Sequence, residues 1–256
     1  MIVFNSDLDN TLIYSYKRDI GKNKKCVEIY ENREISYMTD NSINMLEKIS
    51  NIITFIPTTT RTEEQYKRIF FTDKVKINYA LVCNGGVLIE NGIRNDIWYK
   101  ESLDIISYCK NDLDYANNLL NKDKYRNFDL KNIDNLFLFT KSSNPIKTIE
   151  YINKNLKTKN LNIFNNGNKI YALPKKLNKG NAIIRLKNKL KSNYIISAGD
   201  SIFDIPMVLK SDKGFLHNNL KNEFSNIDNN IIFFDNKKIF SENILYYIYD
   251  LIIKND

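Results

Sequence analysis

Two aspartates stand two residues apart where a short apolar run ends: Ile2-Val3-Phe4 gives way to Asn5-Ser6-Asp7-Leu8-Asp9-Asn10-Thr11. Side chains two apart on an extended strand share a face. Two carboxylates held that close repel unless a proton or a cation separates them. A hard divalent ion such as Mg²⁺ resolves the repulsion, since it takes carboxylate, carbonyl and water oxygens. The same residues also read as an Asx-type turn in which Asp9 caps the segment after it. A second acidic pair, Asp200 and Asp204, lies in Gly199-Asp200-Ser201-Ile202-Phe203-Asp204, just after the apolar run Tyr194–Ala198. One such pair is explained by a helix N-cap with Pro206 in the first turn; two pairs at two strand ends are harder to explain that way.

Cations stand where a helix alone would not place them. Lys179 opens the amphipathic stretch 179–191, and Arg61 precedes another helical stretch. A cation at a helix N-terminus opposes the dipole. Beside acidic strand ends, it points to a site for a shared anion. Thr58, Thr59 and Thr60 offer hydroxyls, and their loop offers backbone N–H groups, that can hold phosphoryl oxygens. Asn84-Gly85-Gly86 ends a further apolar run and reads either as a plain turn or as part of the same site.

The elements that must position these residues alternate. Strands are expected at 2–4, 52–56, 79–83, 194–198, 214–216 and 231–234, with helices after Asp40 (the expected N-cap), after Thr62, at 179–191 and at 241–253. Thr62 and Gln65 have capping-box spacing. Residues 25–38 read as a hairpin turning at Glu31-Asn32-Arg33. Apolar strands alternating with amphipathic helices predict an α/β fold, a parallel sheet covered on both faces. Ligands of such sheets bind at the carboxyl ends of the strands. The stretch 89–171 breaks the rhythm, with a helix expected over 103–120, a strand at 136–139, a helix over 145–156 and a turn at Asn166-Gly167-Asn168. It reads as an inserted α+β unit, so that 1–88 and 172–256 form the core domain.

Composition narrows the classes. The net charge of +8 attracts anions, yet Lys and Arg are spread along the chain rather than gathered into a nucleic-acid-binding patch. Cys26, Cys83 and Cys109 are too scattered for a disulfide framework or a zinc site. The single histidine, His217, cannot build a histidine metal cluster. No Gly-rich nucleotide loop is present. With no apolar run near the length of a membrane span, the expectation is a cytoplasmic protein that engages neither membrane nor nucleic acid. The oligomeric state is not readable.

These residues together resemble a known family. Asp7-Leu8-Asp9-Asn10-Thr11, Thr59-Thr60-Arg61, Lys179-Gly180 and Gly199–Asp204 are similar, in order, to the four motifs of haloacid-dehalogenase-like phosphatases. Where many relatives have Gly, this chain has Asn10 and Thr60, which leaves open whether Thr58 or Thr59 is the second-motif residue. Phe203 replaces an Asn common in relatives. The insertion between the second and third motifs resembles the type-two α+β cap. More narrowly, DLDNTLIYS, PTTTRTEEQY and GDSIFDIPM look similar to phosphatases encoded beside tellurite-resistance and stress-response genes.

The resemblance implies a Rossmann-like core with a cap and a Mg²⁺-dependent hydrolysis of a small phosphorylated metabolite. Asp7 would be the nucleophile and Asp9 the acid and base. Mg²⁺ would be held by Asp7, the Asp9 carbonyl and Asp200, with Asp204 a further ligand or the holder of Lys179. Thr59 and Lys179 would stabilise phosphoryl oxygens, with Thr58, Thr60, Arg61, Asn84 and Gly85 around them and Lys141 of the cap reaching substrate. The rivals are a phosphotransferase or phosphomutase on the same scaffold and a non-catalytic binding protein.

Overall fold

The computed structural model describes residues 1–226, 228–235 and 237–254. In chain order, the first part contains β1 (Ile2–Ser6), β2 (Tyr14–Ser15), β3 (Lys24–Tyr30), β4 (Arg33–Thr39), α1 (Asp40–Ile52), β5 (Thr54–Pro57), α2 (Glu63–Tyr66), β6 (Tyr79–Val82), β7 (Val87–Glu90) and β8 (Ile93–Arg94). Next come α3 (Asp96–Ile106), α4 (Lys110–Lys122), β9 (Lys131–Ile133), β10 (Phe137–Lys141), α5 (Pro145–Asn155), β11 (Leu161–Asn166) and β12 (Lys169–Pro174). The chain closes with α6 (Lys179–Leu190), β13 (Tyr194–Gly199), α7 (Ile205–Val208), β14 (Lys213–His217), β15 (Ile231–Phe234) and α8 (Phe240–Ile253). Two compact units result: Met1–Asn95 with Lys179–Asp256, and Asp96–Asn178. The sequence pattern alone places the cuts at 89 and 171 instead. The difference arises because β7 pairs back onto β6 and β8 onto β7 within the first unit, while β12 pairs with β10 and β11 in the second.

The first unit is built on a five-stranded sheet in the order β15-β14-β13-β1-β5. Every pairing in it is parallel. Phe4, Phe55, Ile196 and Phe215 point to one face, where α1 and α8 cover them with Leu46, Ile49, Ile244 and Ile248. α6 buries Ala182, Ile183 and Leu186. The strand expected at 79–83 exists as β6, but it pairs antiparallel with β7, which in turn pairs with β8, and a parallel bridge, Thr58 to Leu81, joins it to the central strands. The hairpin turns through Glu31 and Asn32, both at positive φ (50° and 60°), as a two-residue turn matched to strand twist requires.

Three boundaries differ from expectation. Thr39, not Asp40, caps α1: its hydroxyl accepts from the Ser42 N–H at 3.1 Å. Asp40 then sits in the first turn, where its charge suits the dipole. Ile52 ends α1 rather than starting β5, and it is 47% exposed. An apolar run does not by itself say which residues are strand. The helix expected over 103–120 is two helices. Between them lies a 3₁₀ turn, Ser107–Cys109, in which the Ser107 hydroxyl donates to the Asp104 carbonyl (2.8 Å) and the Cys109 thiol to the Ile106 carbonyl (3.1 Å). The second unit is a four-stranded sheet, β11-β12-β10-β9, with α3, α4 and α5. Among the described residues no helix is long and apolar enough to cross a membrane.

Gly180, in the first turn of α6, packs directly against Pro206 of α7. A Cβ there would lie 2.1 Å from the Pro206 carbonyl oxygen. Helix propensity favours Ala over Gly by about 1 kcal/mol. The clash is with backbone and has no soft way out, so overpacking at about 1–3 kcal/mol outweighs it. Gly180→Ala is expected to lower stability in a urea titration; an unchanged or raised midpoint would refute the close approach.

Candidate active site

β1 and β13 lie side by side, and their carboxyl ends carry the two acidic motifs. Asp7 is fixed from its backbone, its N–H donating to the Ala198 carbonyl at 2.9 Å. The chain then folds tightly on itself: the N–H groups of Thr11, Leu12 and Ile13 all donate to the Leu8 carbonyl. That turn needs a left-handed residue, and Asn10 supplies it with φ 60°. Asn tolerates this region better than other non-glycine residues. Thr11 lies between the two acidic motifs, its hydroxyl 3.5 Å from Asp7 Oδ2 and 3.3 Å from Asp200 Oδ1. Gly199 lets Asp204 close over the strand end, since a Cβ on it would fall 2.1 Å from the Asp204 Cβ.

The central contact is a buried lysine. Lys179, 1% exposed, donates from Nζ to Asp7 Oδ1 and to Asp204 Oδ1, both at 2.6 Å. Burial works against its charge, but Asp204 and Asp7 more than offset this, and its pKa is raised. Asp204 is committed to that role. Its second oxygen, Oδ2, accepts from the Ser201 N–H (3.0 Å) and hydroxyl (2.8 Å). Although Asp204 precedes α7, its side chain makes no capping bond.

The carboxylates remain short of positive charge. Burial pushes the Asp7 carboxyl well above its usual range; Lys179 pulls it down, while Asp204, Asp200 and Asp9 push it up again. Asp200 is raised to about 7, first by burial and then by Asp204, against the downward pull of Lys179 and of the Thr11 hydrogen bond. Asp7, Asp200 and Asp204 each present a carboxylate oxygen, all within 4.8 Å of one another. A cluster of hard oxygens with unsatisfied negative charge fits a divalent cation. Asp9 contributes no carboxylate to this cluster. Its side chain is 50% exposed and turns instead to Arg61, whose Nη2 lies 2.7 Å from Asp9 Oδ1.

The second-motif segment is laced to the neighbouring strand end. The Thr58 N–H donates to the Ser6 carbonyl and the Thr59 N–H to the Leu81 carbonyl, while the Cys83 and Asn84 N–H groups donate to the Arg61 and Thr59 carbonyls. Cys83, Asn84 and Gly85 all have positive φ (51°, 58° and 88°), a left-handed run that costs roughly 1–2 kcal/mol at each non-glycine residue. Such strain gathers at functional sites. The two buried threonines differ. Thr58 donates its hydroxyl to the Ile56 carbonyl (3.2 Å), whereas Thr59 accepts from the Arg61 N–H (3.1 Å) and keeps its proton to donate.

Thr60 is half-buried beside them. All five Arg61 N–H donors are used: Nε on Asp9, Nη1 on Glu28 and the Gln65 carbonyl, Nη2 on Asp9 and Glu28. In this arrangement Arg61 therefore has no donor for a phosphoryl oxygen. Lys141, on β10 of the second unit, lies over the Phe128 ring at 4.5 Å. Sequence alone does not single out Thr11 as a bridge, Ser201 as the holder of Asp204, or Glu28. The first two lie within the acidic motifs, where their hydroxyls are a signal; Glu28 carries none.

A parallel sheet that gathers Asp7, Lys179, Asp200 and Asp204 at its strand ends is the arrangement of haloacid-dehalogenase-like phosphatases. The chain belongs to the sucrose-6F-phosphate phosphohydrolase family, whose sequence profile matches residues 1–243, and it is a phosphatase. No curated protein matches it by sequence. The sucrose-phosphatase of Synechocystis sp. PCC6803, solved with sucrose and phosphate, superposes with TM-score 0.67 at 15% identity over 97% of both chains. A haloacid dehalogenase-like hydrolase from B. subtilis gives TM-score 0.60 at 15% identity over 98% of this chain and 100% of that one. A trehalose-6-phosphate phosphatase related protein gives 0.54 at 16% identity over 100% of both. At these identities the superpositions show a shared fold. They leave the narrower likeness to tellurite-resistance phosphatases without support.

The lysine and the acidic cluster have stability effects of opposite sign. Lys179→Met strands buried carboxylates and is expected to cost about 3–5 kcal/mol, read in denaturant. Asp200 holds a proton in the folded state, up to about pH 7, that the unfolded chain gives up near its usual value of 3.8. Its contribution to the stability of metal-free protein therefore falls as pH rises through that window and is flat above it. Asp200→Asn is expected to raise the Tm of metal-free protein at pH 8 more than at pH 5. Equal shifts at both pH values would contradict the raised carboxyl.

Proposed function

We propose that the chain is a Mg²⁺-dependent phosphomonoesterase for a small phosphorylated metabolite, a sugar phosphate, acting through a phosphorylated Asp7. The observation that carries the reading is the Asp7 carboxylate, oriented by Lys179 at 2.6 Å and set among Asp200 and Asp204. The sugar is supported by the description of the matched family, which names a sucrose phosphate ester.

In the first step an Asp7 oxygen attacks phosphorus, the ester P–O bond breaks, and the departing alkoxide takes a proton from Asp9. In the second, Asp9 takes a proton from water as the water oxygen attacks phosphorus. The bond between phosphorus and Asp7 then breaks, releasing inorganic phosphate and the free carboxylate. Lys179 neutralises Asp7 and the equatorial oxygens, and Thr59 is the better candidate for the second-motif donor because its proton is unspent. Asn84, Gly85 and the Thr60 N–H complete the anion-binding side, since the Thr58 and Thr59 N–H groups are held by the Ser6 and Leu81 carbonyls. Asp7, Asp200 and the Asp9 carbonyl would hold Mg²⁺, which supplies charge neutralisation at the phosphoryl group when bound. Asp204 holds Lys179, and so serves the ion indirectly. Substrate choice we assign to the second unit, with Lys141 the first position to vary.

Phosphate release from a panel of phosphorylated sugars, nucleotides and cofactors is the test. Sugar phosphates should give the highest kcat/KM, excess chelator should abolish turnover, and Asp7→Asn should abolish it with the fold intact by circular dichroism. Full activity of Asp7→Asn, or in chelator, would sink the mechanism.

A further inference from the structure

Glu28 is a fully buried carboxylate that the proposed phosphoryl transfer does not use. It lies on β3 where the ladder with β4 slips register, between Cys26 and Ile29. A bulge of this kind re-aims a side chain out of strand alternation. Here it aims Glu28 at Arg61, whose Nη1 and Nη2 donate to Glu28 Oε1 and Oε2 at 2.8 and 2.9 Å. The Ser36 hydroxyl adds a bond of 2.6 Å, and Arg68 Nε lies 3.3 Å from Oε1. The other edge of the same guanidinium holds Asp9: Nε donates to Oδ2 at 2.8 Å and Nη2 to Oδ1 at 2.7 Å.

One rigid plane thus spans two carboxylates, one buried and one half in solvent. An exposed aspartate samples several rotamers, and an arginine holding it alone would lose about 2 kcal/mol of its own side-chain entropy. Glu28 removes that freedom from Arg61 in advance, because its own position is set by the hairpin and by burial. A buried carboxylate costs several kcal/mol to desolvate, so a pair kept for stability alone would gain from apolar replacement. Here the Arg61 plane links that buried charge to Asp9.

We propose that Glu28 is a positioning residue for proton transfer to the leaving group: through Arg61 it fixes the Asp9 carboxylate and ties the β3–β4 hairpin to that step. The inference rests on Asp9 being the acid and base of the proposed mechanism.

The test is kcat/KM on p-nitrophenyl, phenyl and benzyl phosphate, three esters of similar shape whose leaving groups need protonation to increasing degrees. Glu28→Gln should lower the benzyl ester about 10–100-fold, the loss expected from slight misplacement of a reacting group. On the p-nitrophenyl ester, whose leaving group departs without a proton, the loss should be at most about threefold. Arg61→Lys keeps the cation but not the fork and should show the same selectivity, which covers the case in which Glu28→Gln fails to fold. In an Asp9→Asn background, Glu28→Gln should cause no further loss. Equal scaling of all three esters, or losses that multiply in the double variant, would overturn the proposal while Asp9 keeps its role. If Asp9→Asn itself shows no dependence on leaving group, the acid–base reading falls and the proposal falls with it.

Discussion

Everything in the first unit converges on one buried ammonium. Lys179 is almost wholly removed from water, and it is tolerable there only because Asp7 and Asp204 flank it at 2.6 Å. Each partner imposes a further demand. Asp204 reaches Lys179 only because Gly199 has no side chain. It stays aligned only because Ser201 engages its second oxygen. Lys179 itself is brought in by α6, whose first turn meets α7 at Gly180 with no room for a methyl group. The charge at the centre thus dictates where glycines stand in the strand and helix around it.

The site carries more negative charge than the lysine can balance. Metal-free, that excess is a stability cost, expressed in the raised Asp7 and Asp200 carboxyls. The same excess is what suits the cluster to a divalent cation. The left-handed run at Cys83–Gly85 is a second local cost, tied to the backbone of Thr59 and Arg61 by two hydrogen bonds.

Much of this is legible in the sequence because it is local. Asp7, Asp9, Asp200 and Lys179 are each announced by the apolar run or helical stripe beside them, and the capping box at Thr62 and Gln65 forms as its spacing requires. The parts that escape depend on contacts that no window of sequence contains. Glu28 meets Arg61 across 33 residues, and only because a bulge shifts the hairpin register. The choice between Thr58 and Thr59 turns on which hydroxyl proton the backbone consumes. The 3₁₀ turn at 107–109 falls within a pattern whose apolar spacing reads as one continuous helix.

The strand order has a consequence for synthesis. β1 is central in its sheet, flanked by β5 and by β13, and its Ile2 pairs with Tyr194. While the ribosome is still translating, β1 has one of its neighbours and waits for the other. The unit Asp96–Asn178 is contiguous and can close on its own contacts as it emerges. The chain must therefore be made as far as β13 before the first strand is covered on both edges, the regime in which non-local pairing folds slowly and exposed edges invite aggregation. The strand that leads into Asp7 thus stays paired on one edge only until β13 is made.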